Sequence, residues 1–409
     1  MTPKFPADVL VGYSEVGLKG KNRPAFERAL ASAVRRKVGR RPRRLPGRLV
    51  VEDAGGLDEA RELAGSVAIL PGVAHATPAL RCGRTLSEVV EAGSLLLDPS
   101  LSFKVKARRQ DKSFHLTSRD LAVRLGDHFN GRGHRVDVRH PDQVLGVDVL
   151  SDRIYVHAER FAGPGGLPVG SSGVVLALVS GGIDSPVAAH MMMKRGCAVA
   201  AAHFYNERAG GHGKVTDLVK VLAKSQGTVP LLAVPFWRVQ ERIVALVPSR
   251  VRMIVNRRFM TRVACAASPL VGAKALVTGD SVGQVASQTL DNLACIRAAS
   301  DLPVLSPLCG LNKEEIVERA KAVGTYDASC RPYFDCCSYL VHPHPETRAN
   351  QSDVEAIEAG LEPDVLVSEA LDGASWYLVR EDGPVEAADS GELRRWRRQF
   401  DRFGTKQKP

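Results

Sequence analysis

The sequence predicts two kinds of structure in one chain: an α+β front part, followed by an α/β doubly wound parallel sheet. Three observations carry this reading. Between residues 174 and 323, continuous apolar runs of strand length alternate with stretches of helical spacing, as in parallel strands joined by crossover helices. Before residue 165, short strands and helices follow the rhythm of small α+β units with antiparallel sheets. Between the two runs Gly163-Pro164-Gly165-Gly166-Leu167-Pro168-Val169-Gly170-Ser171-Ser172-Gly173, dense enough in Gly and Pro to mark a domain boundary.

The elements follow in order. Val9-Leu10-Val11 reads as a strand, and Asn22-Arg23-Pro24 opens a helix over Ala25 to Val38. The Arg-dense stretch Arg35 to Arg48, broken by Pro42 and Pro46, leads to the strand Leu49-Val50-Val51. Leu57 to Val67, Leu86 to Leu97 and Thr117 to Phe129 have helical spacing, and Ala74 to Leu80 is extended. Phe103 to Arg108 alternates with period two, which places Lys104, Lys106 and Arg108 on one strand face. Val136-Asp137-Val138 and Ile154-Tyr155-Val156 read as strands. After the connector, Val174 to Val179, Cys197 to Phe204, Val229 to Val234 and Ala275-Leu276-Val277 are buried strands. Ser185 to Arg195, Val215 to Gln226, one long helix over Arg238 to Ala266, and Lys313 to Val323 alternate with them. No internal repeat is visible.

Composition limits the function classes. No apolar run approaches the roughly 20 residues of a membrane span. The N-terminal MTPKFPADVLVGYSEVG lacks the apolar core of a signal peptide, so a cytoplasmic protein is expected. The chain carries a net charge of +11, and residues 1–170 hold 28 basic against 19 acidic side chains, a balance of +9. An excess so placed points to a phosphate backbone as partner. The eight cysteines show neither a disulfide framework nor a CxxC pair, so most should be small buried residues in a reducing compartment.

Three stretches carry chemistry. Leu178-Val179-Ser180-Gly181-Gly182-Ile183-Asp184-Ser185-Pro186 joins a buried strand to a helix. Its glycines admit a ligand to the backbone, and the helix N-terminus offers unpaired N–H groups to a phosphate. Ser180 and Ser185 add hydroxyls, and Asp184 organises the turn or a metal ion. No Lys follows the glycines, so this is not the GxxxxGK[ST] loop. Thr278-Gly279-Asp280-Ser281-Val282-Gly283-Gln284-Val285-Ala286-Ser287-Gln288-Thr289 follows a strand and lies at the carboxyl edge of the sheet, where open α/β sheets bind ligands. The third, Tyr326 to Cys337, ends in Asp335-Cys336-Cys337; Arg331 would favour a thiolate there if the loop folds back. Adjacent cysteines also suit inert packing or a loose metal site.

The first stretch resembles the SGGxDS loop of ATP pyrophosphatases. With it, Ser14 to Arg23, Gly163 to Gly173, His203-Phe204, Arg257-Arg258-Phe259-Met260, Gly279 to Thr289 and Gly324 through Cys337 resemble the tRNA 4-thiouridine synthases, tRNA sulfurtransferases also linked to thiamine thiazole formation. The resemblance spans roughly residues 10–345. It implies a ferredoxin-like domain over 1–60, a THUMP RNA-binding domain over 61–165 and an ATP pyrophosphatase domain over 166–345. It implies ATP contacts at Leu178, Val179, Ser180, Gly181, Gly182, Asp184, Ser185, His203, Phe204, Arg257, Gly279 and Gln288, with Mg²⁺ at the phosphates. Some members add a rhodanese-like domain. The 64 residues after Pro345 fall short of one, and the tail 346–409 reads as helical and charged.

The implied reaction adenylates a uridine carbonyl of tRNA, at position eight in the family, and replaces its oxygen by sulfur. Asp184, Cys336 and Cys337 are the catalytic candidates, the two thiols not separable by sequence. Lys19, Lys21, Arg23, Lys104, Lys106, Arg108, Arg109 and Lys112 are the expected tRNA contacts, and no metal-ligand cluster is expected. The expected partners are tRNA, a cysteine desulfurase as persulfide donor, a thiamine sulfur-carrier protein and a second copy of the chain. Two other readings share the nucleotide loop: another pyrophosphatase-loop synthetase, and an RNA-binding module that senses ATP without catalysis.

Overall fold

A computed structural model describes residues 5–208, 211–334, 336–337 and 340–401. Asp335 and the tail residues 402–409 lie outside the described residues. The chain divides into two compact units, residues 1–166 and 167–409.

In the first unit the elements run β1 (Ala7–Gly12), α1 (Arg23–Val38), β2 (Arg43–Leu45), β3 (Arg48–Val51), α2 (Leu57–Ala68), β4 (His75–Cys82), α3 (Leu86–Leu96), β5 (Phe103–Arg109), α4 (Ser118–Asn130), β6 (Gln143–Val149), β7 (Ile154–His157) and β8 (Phe161–Ala162). The strands form one sheet in the order β2-β3-β1-β4-β7-β6-β5, with β8 on β4. β5–β6 is parallel and the other pairs are antiparallel. Since β1 pairs with β4, the two predicted front segments share a single sheet, and the division expected at residue 60 falls inside α2. Alternation then decides the two faces. Val9, Val11, Leu49, Val51, Leu80, Val147 and Val156 meet Leu30, Val34, Ala64, Val89, Leu121 and Phe129 of the helices in one core. The opposite face holds a small cluster, Leu10, Val50, Ala79, Leu150 and Tyr155.

Val136-Asp137-Val138 is not a strand. Val136 makes one isolated bridge to Phe103, and both valines are exposed, 40% and 70%. Two valines flanking an aspartate, without a second paired neighbour, have nothing to bury.

The second unit contains β9 (Val174–Leu178), α5 (Asp184–Lys194), β10 (Ala198–Tyr205), α6 (Gly213–Gln226), β11 (Thr228–Pro235), α7 (Trp237–Leu246), α8 (Arg252–Val271), β12 (Leu276–Val277), α9 (Leu290–Arg297), β13 (Val304–Leu305), α10 (Lys313–Val323), α11 (Tyr326–Cys330), α12 (Gln351–Ala359), α13 (Pro363–Asp372), β14 (Ser375–Arg380), β15 (Glu386–Ala387) and α14 (Ser390–Asp401). Its sheet runs β13-β12-β9-β10-β11-β14-β15. The first five strands in that order are parallel, and β14 and β15 add antiparallel. The tail is therefore not simply helical: Trp376-Tyr377-Leu378-Val379, rich in strand-forming residues, pairs with β11 and extends the sheet, with β15 at its edge. The predicted helix Arg238 to Ala266 is two helices. α7 ends at Leu246, Pro248 follows, and a 3₁₀ turn at Ser249–Val251 leads into α8. α8 is pinned to α12 by a buried ion pair, Arg258 Nη2 to Glu358 Oε2 at 2.8 Å.

Candidate functional site

β9 sits between β12 and β10. The chain leaves β9 toward β10, and β12 is added later on the other side, so the loops after β9 and β12 diverge at a topological switch point. That is where doubly wound sheets open a crevice. A cavity of about 360 Å³ lies there.

Its floor is the turn from β9 into α5. The Ser180 N–H donates to Ser185 Oγ at 2.8 Å, and the two hydroxyls are 3.1 Å apart. The Gly182 N–H donates to Ser180 Oγ at 3.3 Å. Asp184 begins α5, whose N-cap, Ile183, gives no side-chain bond to the first turn. The helix therefore presents orphan N–H groups and the positive end of its dipole. Asp184 itself is held by Lys313 Nζ at 2.6 Å and Gln284 Nε2 at 2.9 Å.

The second predicted stretch packs directly on this turn. A Cβ added at Gly279 would lie 2.7 Å from Ser185 N and 2.9 Å from its Cα, so only glycine fits. Asp280, 4% exposed, takes Arg257 Nη2 at 2.6 Å, Thr278 Oγ1 at 2.7 Å and Gln288 Nε2 at 3.4 Å. Among the described residues the buried Gln288 Oε1 has no hydrogen-bond partner, an acceptor awaiting a donor. On the other wall the buried His203 ring meets the Val179 carbonyl through Nδ1 at 2.9 Å and the Tyr333 hydroxyl through Nε2 at 2.8 Å.

Of the predicted nucleotide residues, Leu178, Val179, Ser180, Asp184, Ser185, His203, Phe204, Arg257, Gly279 and Gln288 all line the cavity. Gly181 and Gly182 lie beside it: a Cβ on Gly181 would strike the Tyr333 ring at 2.5 Å, and the Gly182 carbonyl accepts Ser329 Oγ at 3.3 Å. Cys336 and Cys337 line the same cavity, their sulfurs 3.8 Å apart. Arg331, expected to favour a thiolate there, pairs instead with Asp217 at 2.7 Å. The candidate residues drawn from sequence left out Met253, an apolar side chain outside every motif, and also Met260 and Tyr333, which lie inside the stretches Arg257–Met260 and Gly324–Cys337 but were not singled out there. It also missed Lys313, which only the tertiary fold brings to Asp184. Elsewhere burial pushes the Cys82 thiol up to about 12 and raises those of Cys197 and Cys295, as suits inert packing residues. Among the described residues no group of three or more His, Cys, Asp or Glu is placed to hold a metal ion.

In the first unit the β5 register puts Lys104, Lys106 and Arg108 on the sheet face opposite the helices, opposite Val144, Gly146 and Asp148 of β6. They line a depression of about 740 Å³ with Arg61, His157 and Arg160. His157 fits because its cross-strand neighbour is Gly146; a Cβ there would lie 2.0 Å from the ring. Burial alone would raise the Asp148 carboxyl, but His157 and Arg48, the latter at 2.7 Å, hold it well below the usual range. Burial, with Arg160 and Arg48 nearby, pushes His75 down to about 4. Arg109 lies on the other strand face and donates to the Phe114 and Leu116 carbonyls, both at 3.0 Å. Lys112 is exposed on the loop after β5. Lys19 lies 5.1 Å from the Phe26 ring, Lys21 is exposed, and Arg23 is tied to Glu27 at 2.7 Å and to the Tyr13 hydroxyl at 3.0 Å. The structure groups the β5 cations but places the Lys19–Arg23 cluster on a separate segment.

Comparison with known proteins gives a consistent result. Residues 170–362 match the family described as thiamine biosynthesis protein (ThiI), residues 91–159 the THUMP domain, and residues 8–75 the ThiI ferredoxin-like domain. The chain is 40% identical to a protein of Moorella thermoacetica over 92% of its own length and 99% of the relative's. It is 36% identical to one of Macrococcus caseolyticus over 89% and 93%, both named "Probable tRNA sulfurtransferase". A crystal structure of a 4-thiouridine synthetase–RNA complex with bound ATP superposes with a TM-score of 0.82 at 33% identity, covering 92% of this chain and all of that one. PH1313 from Pyrococcus horikoshii Ot3 shares the fold, with a TM-score of 0.62 at 21% identity, over 78% of this chain and 99% of that one.

Proposed function

The chain belongs to the tRNA sulfurtransferase family, and on that premise we propose that it uses ATP to convert a tRNA uridine into 4-thiouridine. One observation carries the reading: the phosphate-binding turn Ser180–Ser185 and the thiols Cys336 and Cys337 open into one cavity. Activation of an oxygen and delivery of a sulfur need that proximity.

The uridine carbonyl is a poor electrophile and its oxygen leaves badly. The uridine oxygen attacks the α-phosphorus of ATP, and pyrophosphate leaves. The turn into α5 holds the phosphates through backbone N–H groups and the Ser180 and Ser185 hydroxyls. Lys313, already at Asp184, lies beside that turn and offsets the charge of the leaving pyrophosphate. The lone acceptor Gln288 Oε1 suits a base amino group of the nucleotide. Mg²⁺ would be held by the phosphates with Asp184, and would neutralise developing charge.

A sulfur nucleophile then adds to the activated carbon and AMP departs with the original oxygen. The sulfur comes from a persulfide, R–S–SH. A thiolate of the Cys336–Cys337 pair attacks the sulfur bonded to R, forming a disulfide with R and releasing HS⁻, and an external thiol later reduces that disulfide. A cysteine desulfurase as donor, position eight as target, a share in thiamine sulfur supply and a cytoplasmic setting belong to the same proposal; the family resemblance supports them. Lys104, Lys106 and Arg108 are the tRNA-backbone contacts best supported by geometry, since they share an open sheet face.

Asp184→Ala should abolish tRNA-dependent pyrophosphate release and leave tRNA affinity near that of the parent. Full release from this variant would overturn the assignment of the turn.

A further inference from the structure

Neighbouring cysteines are chemically alike, yet the fold treats Cys336 and Cys337 differently. Cys336 is 3% exposed and packed in the core. Cys337 is partly exposed and faces the same cavity. Beneath both lie two amide side chains, Gln240 of α7 and Asn256 of α8, each wholly buried.

Their hydrogen bonds form a short chain. Gln240 Nε2 donates to the Cys336 carbonyl at 2.7 Å and to Asn256 Oδ1 at 3.3 Å. That second bond fixes which end of the Asn256 amide faces the thiols. Asn256 Nδ2 then donates to Cys337 Sγ at 3.4 Å, with Met260 Sδ farther away at 3.8 Å. Burying two primary amides in an apolar core is costly unless their bonds do something a hydrocarbon could not. Here the bonds end on a sulfur.

We propose that Cys337 is the thiol that handles sulfur and that Asn256, oriented by Gln240, is its positioning residue. The proposal rests on the sulfur-transfer reading above and deepens it. An N–H donor pointed at sulfur favours the thiolate over the thiol, because hydrogen bonds to the charged form are the stronger ones. The peptide carbonyl of Cys336, held by Gln240, keeps Cys337 from rotating away. Cys336 supplies backbone and packing. Among the described residues, the other charged or titratable groups lining the cavity are Asp184, His203, Arg257, Asp280 and Cys336 itself. None is altered by changing Asn256.

The test is residue-resolved alkylation of the full chain with iodoacetamide over a range of pH, in the absence of ATP and tRNA, with fragment spectra assigning label to each cysteine. Cys337 should label faster than Cys336 across that range, and the midpoint of its labelling profile is the readout. Asn256→Leu, similar in size but without a donor, should move the midpoint upward by about one unit. Asn256→Asp, which sets an acceptor against the sulfur, should move it further. Gln240→Met should shift it in the same direction by less, and guards against an unfolded Asn256 variant. Thermal unfolding of each variant separates misfolding from misplacement. An unshifted Cys337 midpoint in any variant that melts as the parent does would overturn the proposal, as would faster labelling of Cys336. Failure of the sulfur-transfer reading would show elsewhere, as absent tRNA-dependent pyrophosphate release from the unaltered chain.

Discussion

Gly279 offers the sharpest mutational test of the nucleotide site. Its missing side chain is occupied by the backbone of Asp184 and Ser185: an added Cβ would stand 2.7 Å from Ser185 N, 2.9 Å from Ser185 Cα and 3.0 Å from the Asp184 carbonyl carbon. Ordinary contact begins near 3.4 Å, so Gly279→Ala must push the first turn of α5 away by about 0.7 Å. Backbone cannot rotate aside as a long side chain can. Overpacking of this kind costs about 1–3 kcal/mol, which lowers the melting temperature of a unit this size by roughly 2–12 °C. Displacing a catalytic group by about 1 Å costs on the order of 10²-fold in rate, so tRNA-dependent pyrophosphate release should fall toward that extent while tRNA affinity holds. Gly310→Ala is the control: no atom lies within 4 Å of its added Cβ, and both readouts should be unchanged. The assay is pyrophosphate release under saturating tRNA beside calorimetry. A Gly279→Ala protein with parental rate and parental melting temperature would refute the packing argument and the placement of the phosphates.

Other expectations follow from the same geometry. Arg258→Met should cost about 1.5–3 kcal/mol in denaturant unfolding, because it removes one of two guanidinium partners of the buried Glu358 carboxylate and leaves the partly exposed Arg262 at 2.9 Å, whereas Arg258→Met with Glu358→Leu should recover part of it. Burial holds His75 and His190 down at about 4, against about 6.5 when unfolded. Between those values the unfolded chain binds more protons, so stability rises with pH and is lost as pH falls from about 6.5 toward 4. His75→Phe and His190→Phe should flatten that slope in denaturation measured from pH 7 to 4. Replacing Lys104, Lys106 and Arg108 by Gln should reduce the salt dependence of tRNA binding by up to about three phosphate contacts, read from log K against log salt. An unchanged slope would remove the β5 face from the RNA site.

Much of the catalytic unit was legible because its signals are local. Val174 to Leu178 announces a strand buried on both faces, and two glycines with two serines before a helix announce an anion site. The residues read as nucleotide contacts lie in short motifs at strand ends and line one cavity, where the topology itself gathers ligands. The period-two run at β5 likewise placed three cations on one face. What escaped was set by distant partners. Val136 to Val138 has strand propensity but no second strand to pair with, and Pro248 outweighed the helical spacing around it. The Trp376–Val379 strand was hidden in a charged tail, since its partners on β11, Leu232 to Val229, lie 144 to 150 residues earlier in the chain. Arg331, read as an aid to the thiols, turned out to be held by Asp217, while the groups that do reach them, Gln240 and Asn256, carry no motif.

The central claim is that one cavity joins ATP-driven activation to sulfur transfer, and a single reaction measures both. The unaltered chain is incubated with ATP, tRNA and a persulfide donor, and AMP and 4-thiouridine are quantified together, the latter by its near-ultraviolet absorption in the recovered tRNA. The account predicts one AMP for each 4-thiouridine, both lost in Asp184→Ala, and, with pyrophosphate measured beside them, tRNA-dependent pyrophosphate release retained without AMP or 4-thiouridine in Cys337→Ser. Parental 4-thiouridine from Asp184→Ala, or AMP release that does not depend on tRNA and yields no 4-thiouridine, would contradict it.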